Sequence, residues 1–289
     1  MKLFVIIPTF KRRDLLDRVL EHLDGQTRPP DEVIISAPDD THVGTFRPKH
    51  FEISYVFGKQ GLCAQRNQAI ERALGRCDII TFFDDDFLPA DDYLRRLEQA
   101  FWDNPAWAVI MGHAVADGAR NAGYTFNEGL TLLRQAERQE RPLSVSDHVG
   151  AYGCNMSMRA SQIGDLRCDE RLVLYGWQED IDFTSQLRRF GRIVGLSTLM
   201  GVHLGSKSGR ESGIRLGYSQ VANPVYLMRK GTVPASFALE IMGRNVVANM
   251  IKSLWPEPYA DRRGRLKGNL LAAGHLFLGR IDPEYILKL

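Results

Sequence analysis

Three groups of side chains in this sequence are equipped for chemistry. Asp84, Asp85 and Asp86 stand in a row directly after the hydrophobic run at 78–83. Adjacent carboxylates repel one another, and a hard divalent cation held by oxygen ligands relieves the repulsion. Successive residues of an extended segment face opposite sides, so Asp84 and Asp86 can address one site while Asp85 points elsewhere. The plainer reading is that these acids turn the chain and cap a helix beginning near Ala90. The second group, Trp177-Gln178-Glu179-Asp180-Ile181-Asp182, puts three acids at an inferred helix start, where the helix dipole favours negative charge. Capping needs fewer acids than that. One of them, held within about 3 Å of a hydroxyl, could act as its general base. The third is His203 in Gly201-Val202-His203-Leu204-Gly205, where glycines permit close backbone approach. A lone histidine is more often a packed core or surface residue, but a neutral imidazole can complete a divalent-metal shell begun by carboxylates.

The elements that must position these residues follow from apolar periodicity. Residues 2–7 (KLFVII) form a continuous β-branched and aromatic run, the pattern of a strand covered on both faces. Leu15, Leu16, Val19, Leu20 and Leu23 recur at helical spacing before Gly25. Strands are expected at 32–36 and 53–57, a helix through Ala64 to Leu74, a strand at 78–83, a helix at 91–102 and a strand at 107–111. Residues 112–150 resist assignment apart from a helix at 130–138. In 175–191, Trp177, Ile181, Phe183 or Thr184, Leu187 and Phe190 mark an apolar face. This order predicts an α/β fold with a doubly wound, mostly parallel sheet, which binds ligands at the carboxyl ends of its strands. Neither G-x-G-x-x-G after the first strand nor G-x-x-x-x-G-K-[ST] occurs, so the common dinucleotide and P-loop readings lack their phosphate cradles.

The length of 289 residues suits one large domain with a modest appendage, and 37 Lys/Arg against 35 Asp/Glu argue against a nucleic-acid partner bound through overall charge. Four cysteines, Cys63, Cys77, Cys154 and Cys168, make no C-x-x-C pair, so neither a zinc site nor a disulfide framework is expected, and a reducing compartment is the default. The apolar N-terminal run stops at Pro8 before basic residues, which reads as a first strand and not a signal peptide. Residues 229–289 hold ten Lys/Arg and five acids, a net of +5 that leaves −3 for residues 1–228. Their aliphatic and aromatic residues (Phe237, Leu239, Ile241, Met242, Val246, Val247, then Met250, Ile251, Leu254 and Trp255) are numerous enough for a buried helix face. Past the Pro-rich break at 255–259, Arg262, Arg263, Arg265 and Lys267 precede a second apolar set, Leu270, Leu271, Leu276, Phe277 and Leu278. A basic cluster beside an amphipathic helix is a membrane-surface pattern. The alternative is packing on the catalytic domain or on a second subunit, favoured because Gly264, Gly268, Gly274 and Gly279 weaken a long helix.

Five stretches in order resemble a known family. These are Pro8-Thr9-Phe10-Lys11-Arg12, residues 61–67 (GLCAQRN), Phe83-Asp84-Asp85-Asp86 followed by Pro89, residues 153–159 (GCNMSMR), and residues 177–182 followed by His203. Together they resemble family 2 glycosyltransferases of the GT-A fold over residues 1 to about 230, with a helical extension over 231–289. The resemblance implies an inverting transfer from a nucleotide-sugar donor. It makes Asp180 the catalytic base, with Glu179 its neighbour. Pro8, Thr9, Arg12, Asp39, Arg66, Asp84 and Asp85 fall on the nucleotide side, and Gly153, Cys154, Asn155 and Trp177 near the donor sugar and acceptor. Asp86 and His203 become ligands of Mn²⁺ or Mg²⁺. One departure concerns the base. Family members place an Asp at the end of the second strand to bond uracil, and that position is Ala37 here, with Asp39 displaced by two residues. UDP is expected, with dTDP and GDP as alternatives. A glycan or lipid-linked acceptor, surface-polysaccharide assembly and a cytoplasmic location, peripheral on the inner membrane face, follow from the same resemblance. A homodimer remains open. The rivals are a nucleotidyltransferase, disfavoured because no glycine lies in the loop after the first strand, and a scaffold that keeps the fold without turnover.

Overall fold

The computed structural model describes residues 1–139, 141–207, 212–255 and 257–289. Strand β1 (Leu3–Pro8) is buried along its whole length, as its uninterrupted apolar run requires. It leads into α1 (Arg13–Asp24), which buries Leu16, Val19, Leu20 and Leu23 and stops at Gly25. Next come β2 (Glu32–Ala37), β3 (Glu52–Phe57), α2 (Leu62–Ala73) and β4 (Ile79–Phe83), close to their expected positions. After them run a short β5 (Phe87–Pro89), α3 (Tyr93–Asp103), β6 (Trp107–Asp117), α4 (Phe126–Glu137), β7 (Val145–Asp147) and β8 (Asn155–Arg159). A four-residue α5 (Ala160–Ile163), α6 (Glu179–Ser185) and β9 (Arg192–His203) follow, and α7 (Gly213–Lys230), α8 (Ala235–Lys252) and α9 (Arg262–Phe277) form a helical layer.

The strands form one sheet in the order β3-β2-β1-β4-β8-β6-β9-β5, with β7 also on β9. Pairing is parallel across β3-β2-β1-β4 and between β6 and β9, while β8 runs antiparallel to both its neighbours. Strands β1, β2, β3, β4, β6 and β9 therefore share one direction, the mostly parallel arrangement expected. Their carboxyl ends lie on one edge of the sheet, the edge where such folds bind ligands. Two apolar clusters fill the faces. One packs α1, α3 and α4 on the sheet, and the other packs α2 and α6.

Several expectations are corrected. Strand β6 runs six residues beyond Met111, because bulges between Met111 and His113 and between Ala114 and Ala116 break the alternation that marks a strand in sequence. Helix α4 starts at Phe126, earlier than expected, on a capping box made by Thr125 and Glu128. The acids at 84–86 do not cap α3, whose N-cap is Asp92. Phe190 is exposed, since α6 gives way to a 3₁₀ turn at Gln186–Phe190 that rotates it off the helical stripe. In α8 only Ala238 and Asn249 are buried, and Leu239, Val247, Met250 and Ile251 face outward, so the apolar face expected to be buried is largely open. Of the break at 255–259, Pro256 lies outside the described residues.

Within α9, which runs through Gly264, Gly268 and Gly274, it is Gly268 that proves to be a packing residue. A Cβ on Gly268 would come within 2.1 Å of the Ile214 carbonyl oxygen, and one on Gly217 within 2.0 Å of the Arg265 carbonyl oxygen. Backbone therefore meets backbone where α7 crosses α9. All four cysteines are unpaired. Burial raises the thiol pKa of Cys63, Cys154 and Cys168 far above the usual range, and that of Cys77 to about 12.

The end of α7 is tied to α6 by one ionic knot. Asp182 is fully buried and accepts hydrogen bonds from Lys230 Nζ and Thr232 Oγ1, both at 2.7 Å, while Lys230 also reaches Asp169 at 2.7 Å. Lys230→Met strands the Asp182 charge, and breaking a buried pair in this way should cost about 3 kcal/mol in urea unfolding. Adding Asp182→Asn to that variant should recover most of the loss.

Candidate active site

The residues singled out by sequence converge at the carboxyl edge. Strand β4 delivers Asp84, Asp85 and Asp86, β1 delivers Thr9 and Arg12, and β9 ends at His203. The outer acids address one side and the middle acid the other, but the chain here is a tight turn closed by the Phe87 N–H on the Asp84 carbonyl at 3.0 Å, not the extended segment expected. Ligand atoms of Asp84, Asp86 and His203 lie within 4.8 Å of one another. His203 Nε2 is 3.3 Å from Asp86 Oδ1 and 3.9 Å from Asp84 Oδ2. Asp86 Oδ1 is buried yet makes no hydrogen bond, while Oδ2 accepts the Ser206 N–H at 2.7 Å. An orphaned carboxylate oxygen beside a second carboxylate and an imidazole fits a divalent cation, held by two oxygens and one nitrogen.

Asp85 turns toward β1, where it accepts hydrogen bonds from Thr9 Oγ1 at 2.6 Å and Arg12 Nη1 at 2.7 Å. Burial raises its pKa to about 6 against the pull of Arg12. Burial would raise Asp86 as well, but His203, Arg12 and the Ser206 N–H hold it down at about 2. For His203, burial disfavours the charged ring, yet Asp86, Asp117 and Asp84 outweigh it and lift the pKa to about 10.

Arg66 on α2 joins this group to the second one. Its side chain is 1% exposed, pairs through Nη1 with Glu179, donates from Nη2 to the Gly153 carbonyl at 3.1 Å, and lies 3.5 Å from Asp84. Glu179 is sealed, and burial pushes its pKa upward while that guanidinium pulls it back and holds the ion pair. Asp180 is only partly buried. Its Oδ2 accepts the Gly153 N–H at 2.7 Å and its Oδ1 the Ile181 N–H at 2.8 Å. Burial raises its pKa, with Arg66 pulling the other way. The backbone leading into α6 is held in the left-handed region at Leu174, Gly176 and Gln178, a local strain that the surrounding packing must maintain.

The remaining predicted residues are placed less centrally. Pro8 is buried at the end of β1. The side chains of Cys154 and Asn155 are closed off in the core, so that turn faces the site through backbone alone. Trp177 is half-buried, and its carbonyl accepts from Asn223. Asp39 is 58% exposed and spends Oδ1 on the Thr41 N–H and hydroxyl, capping the short turn Asp40–His42. Beside Arg12 a cavity of about 530 Å³ is lined by Lys11, Arg13, Thr41, His42 and Ser206. Sequence reasoning missed Asp117, at the end of β6, and Tyr152, next to Gly153, which both contact His203. The position of Tyr152 one residue before the 153–159 stretch was the signal available for it.

A mixed sheet whose carboxyl edge carries an acid pair, a histidine and a second acidic group is the arrangement expected above for a GT-A fold. The model of the family described as glycosyl transferase family 2 matches residues 4–163, more than half of the chain, and the chain belongs to that family. A curated relative is the GalNAc(5)-diNAcBac-PP-undecaprenol beta-1,3-glucosyltransferase of Campylobacter jejuni, 27% identical over an aligned length of 159 residues, with 52% of this chain and 50% of that protein covered. The match thus spans about half of the relative. Among solved structures, the mannosyltransferase PcManGT from Pyrobaculum calidifontis, in complex with GDP-Man and Mn²⁺, covers 99% of this chain and 78% of its own at TM-score 0.53 and 16% identity. TarS of S. aureus covers 77% of this chain but 40% of its own at TM-score 0.50 and 16% identity. Its 1–349 fragment with UDP-GlcNAc covers 88% and 73% at TM-score 0.52 and 15% identity. At these identities the structural likeness establishes the fold.

Removing the bridging guanidinium should be costly. Arg66→Met leaves Glu179 buried without its countercharge, and the expected loss is about 3–5 kcal/mol in chemical denaturation. Arg66→Met combined with Glu179→Leu should be more stable than Arg66→Met alone.

Proposed function

We propose that this chain is an inverting hexosyltransferase that moves a sugar from a nucleoside-diphosphate donor, UDP-linked as the first expectation, to a hydroxyl of a glycan or lipid-linked acceptor. The observation that carries this reading is Arg66. One guanidinium lies against Asp84 on one side and pairs with Glu179 on the other, so the acid–histidine group and Asp180 flank a common space. Residues 1–230 are the catalytic unit in this reading and 231–289 its extension.

Asp84, Asp86 and His203 would hold a divalent cation, which when bound neutralises charge developing on the departing diphosphate. Lys11, Arg12 and Arg13 beside the cavity offer cationic partners for the phosphates. Pro8, Thr9, Asp85 and Asp39 belong on the nucleotide side, and the backbone of Gly153 to Asn155, with Trp177, on the sugar side. Asp180, the partly exposed member of the acidic pair, takes the proton of the acceptor hydroxyl. That oxygen bonds to the anomeric carbon as the bond to the diphosphate breaks on the opposite face, inverting the centre. Glu179, sealed against Arg66, positions the pair and has no path to a substrate proton. The Campylobacter relative's name supports an acceptor linked to undecaprenyl diphosphate, and the GDP-Man, UDP-GlcNAc and Mn²⁺ complexes support a nucleotide-sugar donor with metal.

Asp180→Asn should lower kcat by about 10²–10⁴-fold, the usual contribution of a general base. Donor binding, followed by titration of UDP, dTDP and GDP with Mn²⁺, should be unchanged. In the wild type the acid limb of kcat should titrate above the range of a free aspartate, because a raised pKa keeps Asp180 protonated, and inactive as a base, to higher pH. Near-normal turnover of Asp180→Asn would remove it from the role.

The C-terminal helices suit the surface of an anionic membrane, where a lipid-linked acceptor would be presented. Among the described residues no helix is long and apolar enough to cross a bilayer. Exposed Val247, Met250, Ile251 and Leu254 line one stripe, Trp255 is 74% exposed beyond it, and Arg244, Arg263 and Lys267 are exposed nearby. Cosedimentation with phosphatidylglycerol-containing vesicles, but not with pure phosphatidylcholine, is expected. Ile251→Ser combined with Leu254→Ser should abolish it.

A further inference from the structure

We propose that Asp117 is a positioning residue for His203, supported by Tyr152, and that it fixes the ring so that Nε2 is the atom offered to a divalent cation. The proposal rests on the reading of Asp84, Asp86 and His203 as cation ligands. Neither Asp117 nor Tyr152 is required by the transfer chemistry itself.

The geometry is built into the sheet. Asp117 and His203 are register partners on the parallel strands β6 and β9, and the register shifts along β6 set the phase that brings them level. Just beyond them the two chains touch. A Cβ on Gly205 would lie 2.0 Å from the Gly118 carbonyl carbon, and one on Gly118 would lie 1.9 Å from the Leu204 carbonyl oxygen. Only glycines allow that approach, and it closes the distance between the strand ends.

Asp117 Oδ1 sits 2.9 Å from His203 Nδ1. An ionised carboxylate only accepts, so Nδ1 carries a proton, and a cation that displaces the ring's second proton meets the lone pair at Nε2. That nitrogen faces Asp86 Oδ1 and Asp84 Oδ2. The absence of a hydrogen bond to the buried Asp86 Oδ1 agrees with two acceptors converging on a third body and not on one another. Tyr152 packs edge-on to the imidazole, with ring centroids 5.8 Å apart at 82°, and its hydroxyl lies 3.1 Å from Nδ1 and 3.4 Å from Asp117 Oδ2. Asp117 is itself fixed, since Oδ1 accepts the Ala119 N–H at 3.0 Å. A carboxylate behind a ligating histidine orients the ring and raises its basicity, and losing it typically weakens metal binding about 10–100-fold.

The rival account is that Asp117 only caps the turn Gly118–Arg120. Asp117→Asn separates the two, because an amide oxygen still accepts the Ala119 N–H but brings no charge. The experiment measures Mn²⁺ affinity, from the electron paramagnetic resonance signal of free Mn²⁺, without substrate or turnover. The proteins compared are the wild type, Asp117→Asn, Tyr152→Phe, His203→Ala and the Asp117→Asn/His203→Ala double variant. Asp117→Asn should weaken Mn²⁺ about 10–100-fold, Tyr152→Phe should weaken it less, and the double variant should bind no worse than His203→Ala alone. Unchanged affinity in Asp117→Asn overturns the proposal, and so does an equal loss from that substitution in both backgrounds, which would place its action outside His203. Should Asp117→Asn fail to fold, Tyr152→Phe with and without His203→Ala decides by the same comparison. Wild-type protein that ignores Mn²⁺, or His203→Ala that binds it normally, would instead strike the cation reading itself, and the proposal would fall with it.

Discussion

The buried guanidinium of Arg66 is the interaction on which the rest of the site depends. A fully desolvated cation is tolerated only where negative charge surrounds it, and Arg66 has Glu179, Asp84 and the Gly153 carbonyl for that purpose. Each partner comes from a different part of the sheet domain. Satisfying one side chain therefore fixes helix α6, the end of β4 and the turn before β8 relative to α2. The acids near it are in turn denied water, which is why burial pushes Glu179 and Asp180 upward while leaving them in place.

The direction of the strands decides what that anchor can organise. Because six strands point the same way, their carboxyl ends deliver Thr9, Asp84 to Asp86, Asp117 and His203 to one edge without any long loop. Residues held on strand ends are positioned by the sheet's hydrogen bonds, a stiffer support than a surface loop. The exception is the segment before α6, whose left-handed residues set Asp180 at its angle.

Local patterns were legible in the sequence and long-range pairings were not. The split of Asp84 and Asp86 from Asp85 was anticipated from three consecutive residues, although a tight turn and not an extended run produces it. Asp117 was invisible because its meaning depends on a strand 86 residues away, and because the bulges in β6 erase the periodicity that would have extended that strand. Gly268 was misread for a related reason. Taken alone, glycine weakens a helix, but Gly268 faces Gly217 and Ile214 across a crossing that no side chain could enter. Likewise the apolar residues of α8 predicted a buried face, since hydrophobicity alone does not say whether a partner within the chain will cover it.

The burial of the cysteines has a practical side. The thiolate is the reactive form, and every thiol in this chain is shifted away from it, with three of the four also shielded from solvent. The protein thus behaves as its own quiet background for thiol chemistry. A single cysteine engineered at an open position such as Phe277, 92% exposed on the last helix, would react with a maleimide dye or spin label far ahead of the native four. Distances from the helical layer could then be read without first rebuilding the core to remove them.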